Sequence, residues 1–133
     1  MNLLTRKTDY AVKTLLTIAR SKRTLSAQEL TEKLSMPRAF LRGILQELAA
    51  AGILNSSRGV SGGFSLCIPA ERITLASVMK IFQDKVSFNE CIFKKKICPD
   101  RSSCPLRKEI LSIESSVIKR LKSITLASLM KNI

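Results

Sequence analysis

At 133 residues the chain has room for one compact domain with an appended dimerisation element, and not for a second full domain. Apolar residues make up 45% and charged residues 25%, which excludes a disordered or fibrous chain; no apolar run approaches the roughly 20 residues that span a bilayer, residues 1–5 lack a signal-peptide pattern, and the cytoplasm is the expected location. Lys and Arg number 23 against 10 Asp and Glu, a net +13 divided as +6 over residues 1–72 and +7 over residues 73–133, a field that attracts a polyanion such as nucleic acid unless it is only a solvated or membrane-surface face.

From residue 9 to about residue 21, Val12, Leu15, Leu16 and Ala19 recur at helical spacing with Ala11 and Ile18 beside them, and a first helix is expected. Ser26 and Glu29 form a capping box that starts a short second helix running to about Leu34. Ser35-Met36-Pro37 then opens a third helix, with Pro37 in its first turn and Gly52 at its carboxyl end. Two helices joined by a tight turn, the second carrying Phe40, Leu41, Ile44, Leu45 and Leu48, match a helix-turn-helix.

After Gly52, Ile53-Leu54 and the alternating Phe64, Leu66 and Ile68 bracket a glycine-rich stretch around Arg58, the pattern of a β-hairpin wing. Thr74 caps a fourth helix that runs through Phe82, and Pro105 starts a long fifth one. On that helix Leu106, Ile110, Ile113, Val117, Leu121 and Ile124 alternate three- and four-residue steps, a stripe suited to a second copy of the helix or to burial on its own domain. The octapeptides ITLASVMK, from Ile73, and ITLASLMK, from Ile124, are far below repeat-protein periods and are read as two similar Thr-capped helix starts. The fold expected is mainly α with a small β-hairpin: a winged helix-turn-helix over residues 1–72, then a loop and dimerisation helix over residues 73–133, in one compact chain.

DNA reading needs a helix end and a loop that can enter grooves. Arg38 and Arg42, one turn apart near the start of the third helix and away from its apolar face, are the candidates for the major groove, with simple phosphate contact as the alternative. Arg58 and Gly59 lie at the wing tip, where glycines let the backbone come close to a phosphate wall. Cys91, Cys98 and Cys104 are separated by six and then five residues, with Pro99 and Pro105 after the last two. A reducing compartment keeps thiols from forming disulfides, and the close cysteine pairs of zinc motifs are missing. Cys67 falls outside that spacing and is read as structural, or else as an exposed thiol.

The wing sequence Ser57-Arg58-Gly59-Val60-Ser61-Gly62-Gly63-Phe64, with Leu4-Thr5 and Asp9-Tyr10-Ala11-Val12 before it, three cysteines ahead of the long helix and Ile124-Thr125-Leu126 near the end, resembles the IscR/NsrR family of winged-helix regulators that carry iron-sulfur clusters. The resemblance covers essentially the whole chain. It implies a homodimer on a double-stranded DNA operator, with the long helices paired and a four-iron or two-iron cluster on Cys91, Cys98 and Cys104 near the dimer axis. It also implies Arg42 at base edges and Arg58 in the minor groove. Some relatives complete the cluster with a histidine, which this chain lacks; others use a carboxylate from the first helix of the partner subunit, and Asp9 matches that position, although an Asp near a helix start is ordinarily a dipole partner. The first cysteine gap is longer than in those relatives. Lys94, Lys95 and Lys96 within the loop would offset cluster charge.

The function expected is therefore a sequence-specific regulator, a repressor, whose DNA affinity follows a cluster that senses nitric oxide, redox or iron-sulfur status. The alternative is a regulator with no cofactor, or with a structural zinc, controlled by a partner protein. Without histidine, a phosphate-binding glycine loop or a nucleophile–base pair, an enzyme is not expected.

Overall fold

A computed structural model describes residues 3–83 and 104–131. Helix α1 spans Arg6–Ser21 and is capped by Thr5, whose hydroxyl accepts from the Thr8 amide at 3.2 Å. It begins three residues before the expected start, because Thr5 satisfies an amide that the apolar periodicity cannot report. Its buried line is Thr8, Ala11, Thr14, Leu15 and Ile18, while Val12, Leu16 and Ala19 are only partly covered. The expected stripe is thus rotated, since a small Ala and two hydrogen-bonded Thr lie nearest the core.

Helix α2 (Ala27–Leu34) has the expected capping box, with the Glu29 amide donating to Ser26 Oγ at 3.1 Å and the Ser26 amide to Glu29 Oε1 at 3.3 Å. Arg23 Nη2 binds the other Glu29 oxygen at 2.7 Å. That hydrogen bond, followed by the Ser26 amide, holds the Glu29 carboxyl below its ordinary pKa. A lowered carboxylate pKa stabilises the fold above the ordinary range and ceases to do so as pH falls through the folded value. The melting-temperature gap between wild type and Glu29→Gln should accordingly narrow on acidification; a gap that is flat with pH would refute this role.

After a left-handed Ser35 (φ 52°), helix α3 spans Arg38–Ala50 with Pro37 as its N-cap, one residue outside the expected first turn. Leu41, Ile44, Leu45 and Leu48 are buried, and Gly52 (φ 82°) turns the chain away at the carboxyl end as expected. Strands β1 (Leu54–Ser57) and β2 (Gly63–Leu66) pair antiparallel, with Leu54 opposite Leu66 and Ser57 opposite Gly63. Phe64 also exchanges both backbone hydrogen bonds with Leu25, at 2.8 and 3.0 Å, which fastens the wing to the residue before the α2 cap.

Helix α4 (Leu75–Phe82) is capped by Thr74, and α5 (Pro105–Ser123) opens with proline, both as expected. Thr125 caps a short α6 (Leu126–Met130). The two similar octapeptides meet: Thr74 and Thr125 form an antiparallel bridge, with Leu75 N–H donating to Ile124 O and Leu126 N–H to Ile73 O, each at 2.8 Å. This bridge brings the far end of α5 onto the winged domain. Ile73, Val78 and Leu126 belong to the same buried cluster as Leu15, Leu30 and Leu45. Along α5 the stripe is divided: Leu121, 5% exposed, is buried on its own domain, whereas Ile113 is 53% and Leu106 66% exposed. Among the described residues, no helix is long and apolar enough to cross a membrane.

Candidate DNA interface and metal centre

Helix α3 is seated on α1, α2 and β1. Two contacts fix it to α1: the Tyr10 and Phe40 rings meet edge to face at 5.6 Å, and Lys7 Nζ reaches Glu47 Oε1 at 3.2 Å. With Leu41, Ile44, Leu45 and Leu48 turned inward, Arg38 and Arg42 are exposed on the first two turns.

Arg58 and Gly59 are exposed in the loop between β1 and β2, and Gly59 takes φ 102°. At Gly63 a Cβ would lie 2.3 Å from the Leu25 carbonyl oxygen, so the close ladder holding the wing requires glycine there. Among the described residues, no hydrogen bond or ion pair engages the side chain of Arg38, Arg42 or Arg58, whereas Lys7, Lys13 and Arg23 each pair with a carboxylate. The arrangement is a helix start and a hairpin tip on one core, both presenting free guanidinium groups suited to phosphate and base-edge acceptors. Val60, fully exposed beside Gly59, is a further wing-tip residue that reading the loop for charge and glycine passes over.

Of the expected metal ligands, Cys91 and Cys98 lie outside the described residues, as do Lys94, Lys95 and Lys96. Cys104 is the N-cap of α5, partly buried, and its Sγ accepts from the Arg107 amide at 3.5 Å. An amide and the positive end of a helix directed at the sulfur suit the negatively charged ligand atom that metal binding requires. Asp9 sits in the first turn of α1, its side chain 48% exposed and bound to Lys13 Nζ at 3.0 Å. It has the ordinary place of an acidic residue at a helix start and remains reachable from outside. Among the described residues, no three His, Cys, Asp or Glu come together.

Cys67 is exposed, and among the described residues only its backbone is engaged, donating to the Ile53 carbonyl at 2.8 Å. Its thiol therefore does not help to fill the core.

Gln83, absent from the sequence reading, ties the end of α4 to the start of α1. Its Oε1 accepts from the Thr8 hydroxyl at 2.7 Å and the Thr5 amide at 3.1 Å, and its Nε2 donates to the Leu3 carbonyl at 2.9 Å. The residue from which the chain enters the Cys91 and Cys98 segment is thus fixed beside the turn that carries Asp9. No local sequence signal marks a bond across 75 residues.

Residues 4–132 match the family model Rrf2, described as an iron-dependent transcriptional regulator. Protein aau3 of Rhizobium meliloti is 34% identical over 130 residues, which cover 96% of this chain and 84% of that protein. Protein rrf2 of Nitratidesulfovibrio vulgaris is 26% identical over 131 residues, covering 97% and 87%. Among solved structures, CymR, the global cysteine regulator of B. subtilis, superposes with a TM-score of 0.84 at 20% identity, covering 100% of this chain and 99% of that one. T. potens IscR superposes with a TM-score of 0.75 at 20% identity, covering 98% and 88%. These folds carry the same helices and two-stranded wing, and the family is one of transcriptional regulators rather than enzymes. The match over nearly the whole length, with the helix-turn-helix and wing in place, makes this chain a member of the Rrf2 family of transcriptional regulators.

Proposed function

We propose that the chain acts in the cytoplasm as a homodimeric, sequence-specific repressor whose affinity for a double-stranded DNA operator depends on an iron-sulfur cluster. The observation that carries the DNA half is the set of unengaged guanidinium groups on α3 and the wing tip. In this reading Arg38 contacts phosphate or a groove edge, Arg42 holds a base edge with its planar fork, and Arg58, freed by Gly59, enters the minor groove of an adjacent segment. The exposed Leu106 and Ile113 on α5 pair with the same residues of a second copy, which sets the two reading heads on successive half-sites.

Cys91, Cys98 and Cys104 would hold the cluster, with Asp9 as the oxygen ligand. What supports this is the donor set itself, the amide directed at Cys104 Sγ and the family's description as iron-dependent. A four-iron or two-iron cluster would supply a redox-active, ligand-exchangeable centre, and an oxygen ligand among three thiolates gives it one labile corner through which nitric oxide, oxidants or iron-sulfur status can be sensed. The test is an anaerobic visible spectrum with iron and sulfide analysis. Colourless protein, or protein holding only zinc, would replace this reading with that of a regulator controlled by a partner.

For the DNA contacts, Arg42→Ala and Arg58→Ala should each weaken operator binding while fold and dimer persist, because both side chains are exposed. A base-edge contact by Arg42 would cost about 1–3 kcal/mol and relax specificity, while loss of a phosphate contact would lower the salt slope by about one and leave sequence preference alone. Fluorescence-anisotropy titrations across salt concentrations check both; unchanged affinity in both variants would refute the assigned contacts.

A further inference from the structure

Among the described residues, nothing requires glycine at position 43. It is the sixth residue of the 13-residue α3, where glycine is the least favourable choice after proline. Among the described residues, a Cβ built there meets nothing within 4 Å. The other glycines have reasons in the fold: positive φ at Gly52 and Gly59, and backbone within 2.9 Å of an added Cβ at Gly62 and Gly63. Alanine at position 43 would therefore fit and would favour the helix, and the described fold gives no cause for its absence.

Helical spacing places Gly43 on the side of α3 opposite Leu41, Leu45 and Leu48, in line with the exposed Ala39 and Gln46 and beside the exposed Arg42. A helix with its side chains is about 10–12 Å across and the major groove about 12 Å wide and about 8.5 Å deep. The leading residues of an inserted helix consequently set how deep it sits.

We propose that Gly43 is the point of closest approach between α3 and the floor of the major groove, and that its missing side chain sets how far Arg42 and Gln46 reach onto base edges. This rests on the reading that α3 enters the major groove. A methyl group there holds the helix out by about the width of one carbon atom, and hydrogen bonds from Arg42 and Gln46 that need about 2.9 Å are stretched beyond useful length. Gly43 is thus a positioning residue, acting through its neighbours.

The test uses the full-length dimer and two probes: a duplex selected by the wild-type protein from a randomised library, and a random-sequence duplex. Gly43→Ala should melt about 2–5 °C higher than wild type at equal protein concentration. It should bind the selected duplex at least tenfold more weakly and the random duplex nearly as wild type does, since non-specific affinity comes from phosphates. Gly43→Leu, also a good helix former, should weaken selected binding further. Gain in stability with loss of specific binding is a combination that a structural role for the glycine would not produce. Selected-duplex affinity within twofold of wild type, or a lower melting temperature, would overturn the proposal. Arg42→Ala measured alongside separates the two readings: if it weakens binding while Gly43→Ala does not, only the close approach is lost, and if neither variant changes binding, the docking of α3 is wrong and the role of Gly43 falls with it.

Discussion

Replacing Leu106 and Ile113 together by aspartate is expected to split the dimer and lower operator affinity by about a hundred- to ten-thousand-fold, with the winged domain still folded. The two side chains are 66% and 53% exposed in the single chain, so carboxylates there meet water and disturb no core. In a dimer with α5 against its copy, the same substitutions bury unpaired charges and set like charges opposite each other across the two-fold axis. The loss in affinity follows from avidity: a monomer engages one half-site, and the second binding event, intramolecular in the dimer, disappears. Leu121→Asp is the contrasting variant. Leu121 is 5% exposed, packed at the end of α5 that meets the winged domain, and a carboxylate there should unfold the protein. Sedimentation of both variants, followed by operator titration of the double one, checks the expectation. A double variant that still sediments as a dimer would remove α5 from the interface.

The parts of the fold that could be read from the sequence are those whose causes are local. Ser26 with Glu29, Thr74 and Pro105 mark helix starts because cap and amide lie within three residues of each other, and each is found where those signals put it. The Thr5 cap is equally local but lies ahead of the apolar pattern, so α1 begins earlier than periodicity implies. What could not be read is what distant segments do to each other. Phe64 pairs with Leu25, Thr74 with Thr125, and Gln83 with Thr5 and Thr8, and none of these bonds has a spacing or a composition that announces it. The Gln83 bonds also explain why Thr8 is fully buried in a helix whose core-facing positions were expected to be aliphatic: its hydroxyl has an acceptor at 2.7 Å. For the proposed DNA contacts, charge and glycine pick out Arg38, Arg42, Arg58 and Gly59, and all four are exposed in the fold. For the proposed metal centre the sequence offers three cysteines as donors but does not single out a fourth, since an Asp one turn into a helix, paired with a Lys four residues on, has the same sequence signature whether or not it also meets a metal.

For the cysteines, alanine at any one of positions 91, 98 or 104 is expected to abolish the visible chromophore of anaerobically purified protein, because the chain has no histidine to substitute for a lost thiolate. Asp9→Ala should behave differently. The Asp9–Lys13 pair is half-exposed and four residues apart, worth about 0.3–0.5 kcal/mol, so its loss leaves the fold intact. Three thiolates remain to assemble the centre, which should bleach faster in air or on exposure to nitric oxide. Mixed dimers then decide which chain supplies the carboxylate. Consider one Asp9→Ala chain paired with one Cys98→Ala chain. If Asp9 reaches across the interface, the intact cysteines of the first chain meet the intact Asp9 of the second, and one normally ligated site survives in each dimer. If Asp9 serves the cysteines of its own chain, the first chain lacks the carboxylate and the second lacks a thiolate, so no normal site survives. Ligation across the interface requires the dimer axis to pass close to Asp9's turn, which the Gln83 bonds fix to the carboxyl end of α4. Folded mixed dimers showing half the wild-type chromophore, with wild-type lability, are the result expected for ligation across the interface; folded mixed dimers with no centre of wild-type lability would reject it.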